Sequence, residues 1–354
     1  MVRKIVFRII PLLITVFALI FPFLNITLKQ QNIIGDTLTS SYKGILTLWH
    51  VENFEGGINS RENFLFKRAV EFEKMNEGVF IQVLNMTDSQ ALNNLVNGAA
   101  FDIISFSQGT GNIISSYLSI YDGKINTLDN FSLGINVEGR YYGVPYSAGG
   151  YAVLAYADML KRAGINKEDV LNNLFSAKIS SKSKIDSITM GFGAFNNPLK
   201  ALASVTQNKG NFSPDIFLKT QQQAFSDFLS KQSVFLLGTQ RDILRILARE
   251  NAGKIEEMVI IPVSGFTDLV QYAGISKNAD KFKKAMAVKF LEFLTSNETQ
   301  RKLNSIGLIP VIEENIYTLE KYLEEFEIAV KRCETNNVFI SQEKLTEERN
   351  KALR

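Results

Sequence analysis

The side chains that most often carry out chemistry are scarce in this sequence. Its 354 residues include one histidine, His50, one cysteine, Cys333, and one tryptophan, Trp49. A zinc site of the usual type needs at least three nitrogen or sulfur ligands, which these residues cannot supply. A Cys/His pair would require Cys333 to meet His50, and Ser/His/Asp catalysis could use His50 alone. We therefore expect neither a metal nor a cofactor, and the scarcity argues against an enzyme.

Charge and length narrow the choice further. Lys and Arg number 39 against 36 Asp and Glu, which gives a formal charge of +3, and the basic residues are interleaved with acidic ones. A nucleic-acid partner is not expected, because it would require a basic stripe or patch. The length is sufficient for two domains of roughly 150 residues each.

Candidate ligand-binding residues lie where predicted strands end, which is where parallel α/β sheets bind ligands. At the ends of the first and third strands these candidates are Trp49, His50, Ser105, Phe106 and Ser107. Trp49 offers an apolar ring face and an N–H donor, with packing in the core as the alternative. His50 could hydrogen-bond a hydroxyl or a carboxylate, with simple solvation as the alternative. The serines could supply hydroxyls, or all three later residues could be ordinary turn residues.

A further group begins a predicted helix after Gly238 and consists of Thr239, Gln240 and Arg241. The N-terminus of a helix and an arginine both attract negative charge, so this group could hold an anion. The alternative is a capped helix with a surface arginine. Three other basic residues are expected on the solvated face of a helix: Arg61, Lys67 and Arg68.

These candidates would be positioned by strands and helices that alternate in the first third of the chain. The apolar patterns predict strands at 45–49, 79–84 and 101–106, and helices at 62–75 and 89–96. Repeated β-α-β order predicts the α/β class, with a parallel sheet covered by helices. Farther along, an extended segment at 151–156 and a strand at 259–263 flank a region in which helices dominate. The helices expected from there on are 159–163, 167–175, 198–205, 214–229, 240–250 and 280–294, then two in the charged tail from 313.

The N-terminal residues resemble an export signal. Arg3, Lys4 and Arg8 precede the apolar run 9–24, and no small-x-small cleavage site follows. We interpret residues 1–30 as a signal or, preferably, an uncleaved membrane anchor, with 31–43 as a polar linker. The rest of the chain would then lie outside the cytoplasmic membrane.

The ordered segments together resemble the extracellular solute-binding proteins of ABC importers, a large family that includes sugar-binding members. The resemblance covers roughly residues 44–311. Its matching segments are 72–74, 78–79, 101–104, 139–145, 163–165, 274–277, 290–294 and 307–311, together with Trp49, Tyr156, Leu160, Ala287 and Gln300. Each segment alone is a weak indication of the family, but their shared order behind an export signal makes the resemblance specific.

The resemblance implies a two-lobed periplasmic-binding-protein fold of type II with a hinge between the lobes. The N-terminal lobe would comprise 44–147 and 264–311, and the C-terminal lobe 148–263 and 312–354. The crossings between lobes would lie near 147–151 and 259–263, with Gly149 and Gly150 absorbing the backbone change. Further cleft candidates are then Tyr146, Ser147, Tyr151, Gln271 and Tyr272.

The same resemblance implies a monomeric substrate-binding subunit that delivers a small solute to ABC permease subunits. An oligosaccharide is the favoured solute. Because the chain has a single Trp, stacking against sugar rings would depend on Phe and Tyr. The lipid-modified Cys that tethers many members of the family is missing. The alternatives are a polyamine, metal chelate or oxyanion as the solute, or a ligand sensor. An enzyme acting on glycosides would need paired carboxylates, and the acids expected in strand-end loops, chiefly Glu52 and Glu55, form no recognisable pair.

Overall fold

The computed structural model describes residues 42–352, apart from 55, 178–184, 207–211, 213 and 319. Within these residues the chain forms eleven strands and thirteen α-helices. The strands are β1 (Gly44–Val51), β2 (Val79–Met86), β3 (Ile103–Phe106), β4 (Asn136–Val137), β5 (Arg140–Tyr141), β6 (Val144–Ala148), β7 (Tyr151–Tyr156), β8 (Asp186–Met190), β9 (Ser233–Thr239), β10 (Met258–Pro262) and β11 (Val270–Ile275). The helices are α1 (Arg61–Met75), α2 (Asp88–Val96), α3 (Thr110–Ile114), α4 (Asp129–Ser132), α5 (Ala157–Ala163), α6 (Val170–Asn173), α7 (Pro198–Ala203), α8 (Gln221–Leu229), α9 (Gln240–Asn251), α10 (Lys281–Leu294), α11 (Asn297–Arg301), α12 (Lys321–Val330) and α13 (Gln342–Ala352).

The first lobe is built on a five-stranded sheet in the order β2-β1-β3-β11-β6. β1 runs parallel to β2 and β3, whereas β11 is antiparallel to both β3 and β6. The expected β-α-β start of the chain is therefore present, and the later strand β11 enters in the opposite direction.

Both faces of this sheet are covered, which explains the nearly continuous apolar run in β1. Leu46 and Leu48 pack in one cluster with α1 and α10 side chains such as Phe72 and Phe290. Trp49 belongs to the cluster on the opposite face, which includes residues of α2. Since neighbouring residues of a strand point to opposite faces, Trp49 and His50 cannot share a surface.

The second lobe contains a four-stranded sheet in the order β10-β7-β9-β8. β7 is antiparallel to both β10 and β9, and β9 is parallel to β8. The sequence analysis expected helices to dominate between 158 and 257 and named no strand there, so the strands β8 and β9 are corrections. β9 and the last three residues of β8 are buried, and both strands lie between helices in sequence, as the strands of an α/β layer do.

The chain passes between the lobes three times, twice between the two sheets and once from the first-lobe segment that ends at Val311 to α12, which packs on β10. β6 ends at Ala148 in the first sheet and β7 begins at Tyr151 in the second, so Gly149 and Gly150 form the first crossing. The second runs from the end of β10 to the start of β11. Neither glycine has a positive φ in this structure, and their role as a hinge stays a prediction. A Cβ at Gly149 would collide with Gln240, and one at Gly150 with Val330, so close packing requires them.

The C-terminal tail contacts both lobes. α12 packs on β10 and α13 on α7, as expected for helices on the second lobe. The segment between them reaches the first lobe, where the Val338 backbone N–H donates to the Gly134 carbonyl at 2.7 Å. Within the described residues no helix is long and apolar enough to cross a membrane, and the predicted segment 1–30 lies outside those residues.

Candidate functional site

A cavity of about 580 Å³ lies between the two lobes. One wall is the loop that connects β1 to α1, and the other follows β8 and begins α8 and α9. The described residues that line it are Glu52, Asn53, Phe54, Gly56, Gly57, Ile58, Asn59, Gly193, Asn196, Gln221, Arg241 and Arg245. The cavity therefore takes polar side chains from both lobes.

His50, at the end of β1, lies directly behind the first-lobe wall. Its side chain is completely buried, with Nδ1 2.9 Å from Ser105 Oγ and Nε2 3.1 Å from Glu52 Oε1. Glu52 is partly exposed to the cavity. The chain's only histidine thus connects the sheet to the cleft instead of being solvated.

Arg61, the first residue of α1, organises the cleft loop. Its side chain is 3% exposed, and its Nη2 donates to the Phe54 carbonyl at 2.5 Å. Nη1 donates to Gln271 Oε1 at 3.2 Å, and Nε lies 3.5 Å from Glu52 Oε1. The guanidinium carbon is 4.2 Å from the centre of the Phe54 ring. The expectation of a solvated Arg61 is wrong, because four groups of the loop and sheet hold this side chain inside the lobe.

Arg68 also departs from expectation, since its side chain is largely buried, at 6% exposed as a residue. It forms an ion pair with Glu71 at 2.7 Å and lies over the Phe64 ring. Lys67, the third member of that basic cluster, is exposed as predicted.

Gln271 and Tyr146 complete a buried polar network behind the wall. Gln271 Nε2 donates to the Val51 carbonyl at 3.0 Å and to Ser105 Oγ at 2.9 Å. Ser105 Oγ also lies 2.8 Å from the Tyr146 hydroxyl. The network therefore ties together β1, β3, β6 and β11 at the carboxyl ends of the parallel strands.

The other end of the loop is held by the segment after α11. The Ile58 backbone N–H donates to the Ile306 carbonyl at 2.9 Å, and Asn59 Nδ2 donates to the Ser305 carbonyl at 2.9 Å. Gly57 lies against the Ile306 and Gly307 carbonyls, where a side chain would not fit. The loop is thus fixed at both ends by the first lobe.

The electrostatics of this wall follow from its burial and pairing. A hydrogen bond from His50 and the charge of Arg61 lower the pKa of Glu52 to about 2, so the carboxylate is ionised at neutral pH. Burial lowers the pKa of His50, which favours the neutral ring. Burial also raises the pKa of the Tyr146 hydroxyl well above its usual range. The wall consequently presents a carboxylate that accepts hydrogen bonds.

Ser105, His50 and Glu52 share the connectivity of a hydrolase triad, but their surroundings do not suit catalysis. Ser105 is 1% exposed, and its hydroxyl already contacts His50, Tyr146 and Gln271. Glu52, with a pKa of about 2, is also unsuited to act as the general acid of a glycosidase, which needs a raised pKa. Glu55, its suggested partner, lies outside the described residues.

The remaining strand-end candidates pack in the core in this conformation. Trp49 is 2% exposed, and its ring centre lies 5.2 Å from that of Phe101. Phe106 packs between the rings of Tyr272 and Phe339. Ser107 is buried, and its carbonyl accepts from the Gly111 backbone N–H. For these residues the core or turn alternative describes the observed packing.

The candidates at the crossings serve the joint between the lobes. The Tyr151 hydroxyl donates to Asp268 Oδ1 at 2.7 Å, and Ser147 is buried opposite Gln271 in the sheet. Gln240 Oε1 accepts from the Gly150 backbone N–H at 3.0 Å.

Of the group at the start of α9, Arg241 alone lines the cavity. Thr239 is the N-cap residue of α9, and its backbone N–H donates to Asp242 Oδ2 at 3.0 Å. Arg241 as a ligand contact stays a prediction.

Several lining residues were not predicted. Phe54 and Asn59 lie beyond the strand end, and the glycine pair at 56–57 was the available signal for a cleft loop. Asn196 follows the unrecognised strand β8. Arg245 could have been found from its position four residues after Arg241, on the same helix face. Within the described residues no group of three His, Cys, Asp or Glu is placed to hold a metal ion.

Comparison with known proteins places this geometry in context. A family model described as bacterial extracellular solute-binding protein matches residues 67–318. No curated protein matches the sequence significantly.

Solved structures with similar folds cover most of the chain. The sugar-binding protein MalE from Xanthomonas citri is 15% identical with a TM-score of 0.66, over 88% of this chain and 91% of its own. The cyclic alpha-maltosyl-1,6-maltose binding protein from Arthrobacter globiformis is 12% identical with a TM-score of 0.62, over 88% and 98%. The GacH receptor of Streptomyces glaucescens is 14% identical with a TM-score of 0.61, over 88% and 94%. At these identities the likeness concerns the two-lobed α/β fold.

Proposed function

Because the chain belongs to the family of bacterial extracellular solute-binding proteins, we propose that it is the substrate-binding subunit of an ABC importer. It captures an oligosaccharide between its two lobes and delivers it to membrane permease subunits. The observation that carries the proposal is the cavity of about 580 Å³ lined by polar residues of both lobes. A ligand that touches both walls binds the closed state better and shifts the population towards it.

Contacts across the cleft support a closing motion. Gln108 Nε2 in the first lobe donates to the Phe195 carbonyl in the second at 2.7 Å. On another side of the cavity, Leu244 of α9 lies directly against Gly307 of the first lobe. Since the lobes are otherwise joined covalently by three passages of the chain, such contacts can form and break as the lobes move.

The polar lining suits an oligosaccharide. The Glu52 carboxylate uses Oε1 for both His50 and Arg61, so Oε2 is available in this proposal to accept from a sugar hydroxyl. Asn53 and Asn59 on the same wall and Gln221 on the other carry amide groups, which both donate and accept. Such groups match the many hydroxyls of a sugar.

We also propose an extracytoplasmic location, with residues 1–30 directing export and holding the protein at the membrane. The support is the basic start and the apolar run 9–24. Membrane fractionation with N-terminal sequencing tests it, since a cleaved segment would leave a shortened chain in the soluble fraction.

The binding function is tested by thermal unfolding of the purified protein against neutral and acidic oligosaccharides, polyamines, amino acids and oxyanions. A true ligand at about 100 times its Kd adds about 2.7 kcal/mol to the free energy of unfolding. A flat result across all classes would contradict the proposal, and stabilisation by a non-sugar class alone would replace the oligosaccharide.

A further inference from the structure

A loop of the second lobe, residues 192–197, carries two of the residues that line the cavity. It follows β8 and leads into α7, and its lining members are Gly193 and Asn196. Irregular backbone of this kind keeps one shape when its polar groups have partners. The contacts of this loop therefore decide how the second-lobe wall is presented to a ligand.

Arg349, near the end of α13, holds this loop through the carbonyls of both lining residues. Its Nε donates to the Asn196 carbonyl at 3.0 Å. Its Nη2 donates to the Gly193 carbonyl at 2.8 Å and also to the Asn196 carbonyl. Hydrogen bonds from a charged donor are stronger than those between neutral groups, so this single side chain is a major attachment of the loop.

The two lining residues also contact each other. Asn196 is 4% exposed, and its Oδ1 accepts from the Gly193 backbone N–H at 2.5 Å. This contact closes the loop into a turn, and Arg349 binds a carbonyl at each end of that turn. The position of Arg349 therefore sets the position of the whole turn.

The end of the loop is bound to the joint between the lobes. The Asn197 backbone N–H donates to Asp268 Oδ2 at 2.5 Å, and Asp268 Oδ1 accepts from the Tyr151 hydroxyl at 2.7 Å. Asp268 lies on the second crossing, and Tyr151 begins β7 directly after the first. Burial raises the pKa of Asp268, and the positive charge of Arg349 opposes that shift. Arg349 thus supports the attachment at the joint as well as the turn itself.

The first lobe contacts the same loop at Phe195. Gln108 Nε2 donates to the Phe195 carbonyl at 2.7 Å, and Gly109 lies so close to the Phe195 ring that a side chain would not fit between them. The loop therefore presents Asn196 to the cavity and Phe195 to the first lobe. A shift of the loop would change both contacts at once.

From these contacts we infer that Arg349 is a positioning residue for ligand binding. The C-terminal helix α13, through this side chain, holds the loop 192–197 in the shape that presents Asn196 to the ligand and Phe195 to the first lobe. The inference rests on the proposed function and adds to it a residue outside the described cavity lining. Arg349 acts through the loop, so its removal should weaken binding without removing a group that touches the ligand.

Amide hydrogen exchange, measured by mass spectrometry on the full chain, tests the position of the loop without a ligand. In Arg349→Met, peptides that cover residues 191–198 should exchange about tenfold faster or more, because two carbonyls lose a charged donor and the loop opens locally. Lys344→Met, at an exposed position of the same helix, controls for the lost positive charge and should leave this exchange unchanged. Val234→Ala, a fully buried position near the start of β9 and away from the cavity, controls for a general loss of stability.

Isothermal titration calorimetry with maltotriose, cellotriose and trigalacturonate tests the consequence for binding. The trisaccharide that binds the wild type most tightly should bind Arg349→Met about tenfold more weakly and both controls within about twofold of the wild type. Arg349→Lys keeps the charge but places a single nitrogen where arginine has a fork of donors. It should therefore fall between the wild type and Arg349→Met in both measurements.

The outcomes separate the inference from the proposed function. Wild-type exchange of the loop in folded Arg349→Met, or an equal increase in Val234→Ala, overturns the inference, and so does wild-type affinity of Arg349→Met for a trisaccharide that binds. If circular dichroism shows that Arg349→Met is not folded, Arg349→Lys decides by the same two measurements. If no trisaccharide binds the wild type, the oligosaccharide proposal fails, while the exchange of the loop still decides whether Arg349 positions it.

Discussion

Nε2 of His50 lies 3.1 Å from Oε1 of Glu52, and this contact joins the core of the first lobe to the wall of the cleft. On its other side, His50 is bound to Ser105, which in turn contacts Tyr146 on the strand that leads to the first crossing. A buried chain of hydrogen bonds thus runs from the cavity to the joint between the lobes. Such networks are costly to leave partly satisfied, so changes at either end should affect stability as well as binding.

Stability should fall with pH between about 7 and 5 because of His50. Burial lowers the folded-state pKa of this ring below its ordinary value of 6.5. The unfolded chain therefore takes up a proton below pH 6.5 that the folded protein resists, and the free energy of unfolding decreases as the pH falls. His50 is the chain's only histidine, so this step can be assigned to it.

The measurement is urea unfolding at pH 7 and pH 5 for the wild type and His50→Gln. The variant should show a smaller difference between the two pH values. Glu52 does not affect this comparison, because its ionised form loses its stabilising effect only at lower pH, between its ordinary pKa of 4.5 and its folded-state pKa of about 2. An equal slope in both proteins would mean that the ring is not held neutral by burial.

Arg61→Met should destabilise the first lobe by about 2–6 kcal/mol, because two buried acceptors each lose their donor at about 1–3 kcal/mol. The substitution keeps the apolar stem but leaves the Phe54 carbonyl and Gln271 Oε1 without their donor. Lys67→Met, on the exposed face of the same helix, should change stability by less than about 0.5 kcal/mol. Similar denaturant midpoints for the two variants would contradict the organising role assigned to Arg61.

The burial of Arg61 was not predicted, because sequence patterns do not describe the tertiary surroundings of a side chain. A charged residue at the start of a helix is usually solvated, and its sequence neighbours do not indicate that three acceptors from a loop and a distant strand will surround it. Gln271, one of those partners, is 210 positions away. Residue spacing therefore predicted the helix correctly, but it could not predict which groups surround the Arg61 side chain.

The strands were predicted well where β-branched and apolar residues alternate with recognisable helices, as for β1, β2 and β7. β9 was missed because a short continuous apolar run can belong to a strand or to a buried helix. β11 was missed because a buried glutamine interrupts its pattern. The helix expected over 214–229 is divided before Thr220, whose capping box with Gln223 starts α8.

At the candidate site, too, the sequence indicated the position in the fold better than the surroundings of each side chain. The rule that ligands bind at strand ends pointed to the edge of the sheet that borders the cavity and to the start of the loop that lines it. It could not tell which side chains face the cavity, since successive residues of β1 point to opposite faces and both Trp49 and His50 are buried. Arg241 was found because a helix start and a cation can be recognised locally.

Gly150→Ala should test the packing at the first crossing. The added methyl would collide with Val330 of α12, so we expect a loss of about 1–3 kcal/mol, typical of overpacking. Gly56→Ala is the control, because a Cβ there would lie 3.7 Å from Arg61 Nε, in ordinary contact. Denaturant unfolding compares the two, and a Gly150→Ala protein as stable as Gly56→Ala would show that the tail can move aside without cost.

Gln108→Ala should shift the ligand-free protein towards an open form. Gln108 joins the lobes by donating to the Phe195 carbonyl, and its Oε1 accepts from Asn336 of the tail at 3.2 Å. Losing about 1 kcal/mol of net hydrogen bonding in the closed state would lower the ratio of closed to open molecules roughly fivefold. Small-angle X-ray scattering should then give a larger radius of gyration than for the wild type. Gln232→Ala, at an exposed position in the second lobe, should leave it unchanged. If Gln108→Ala keeps the wild-type radius while remaining folded, the contact does not contribute to holding the lobes together.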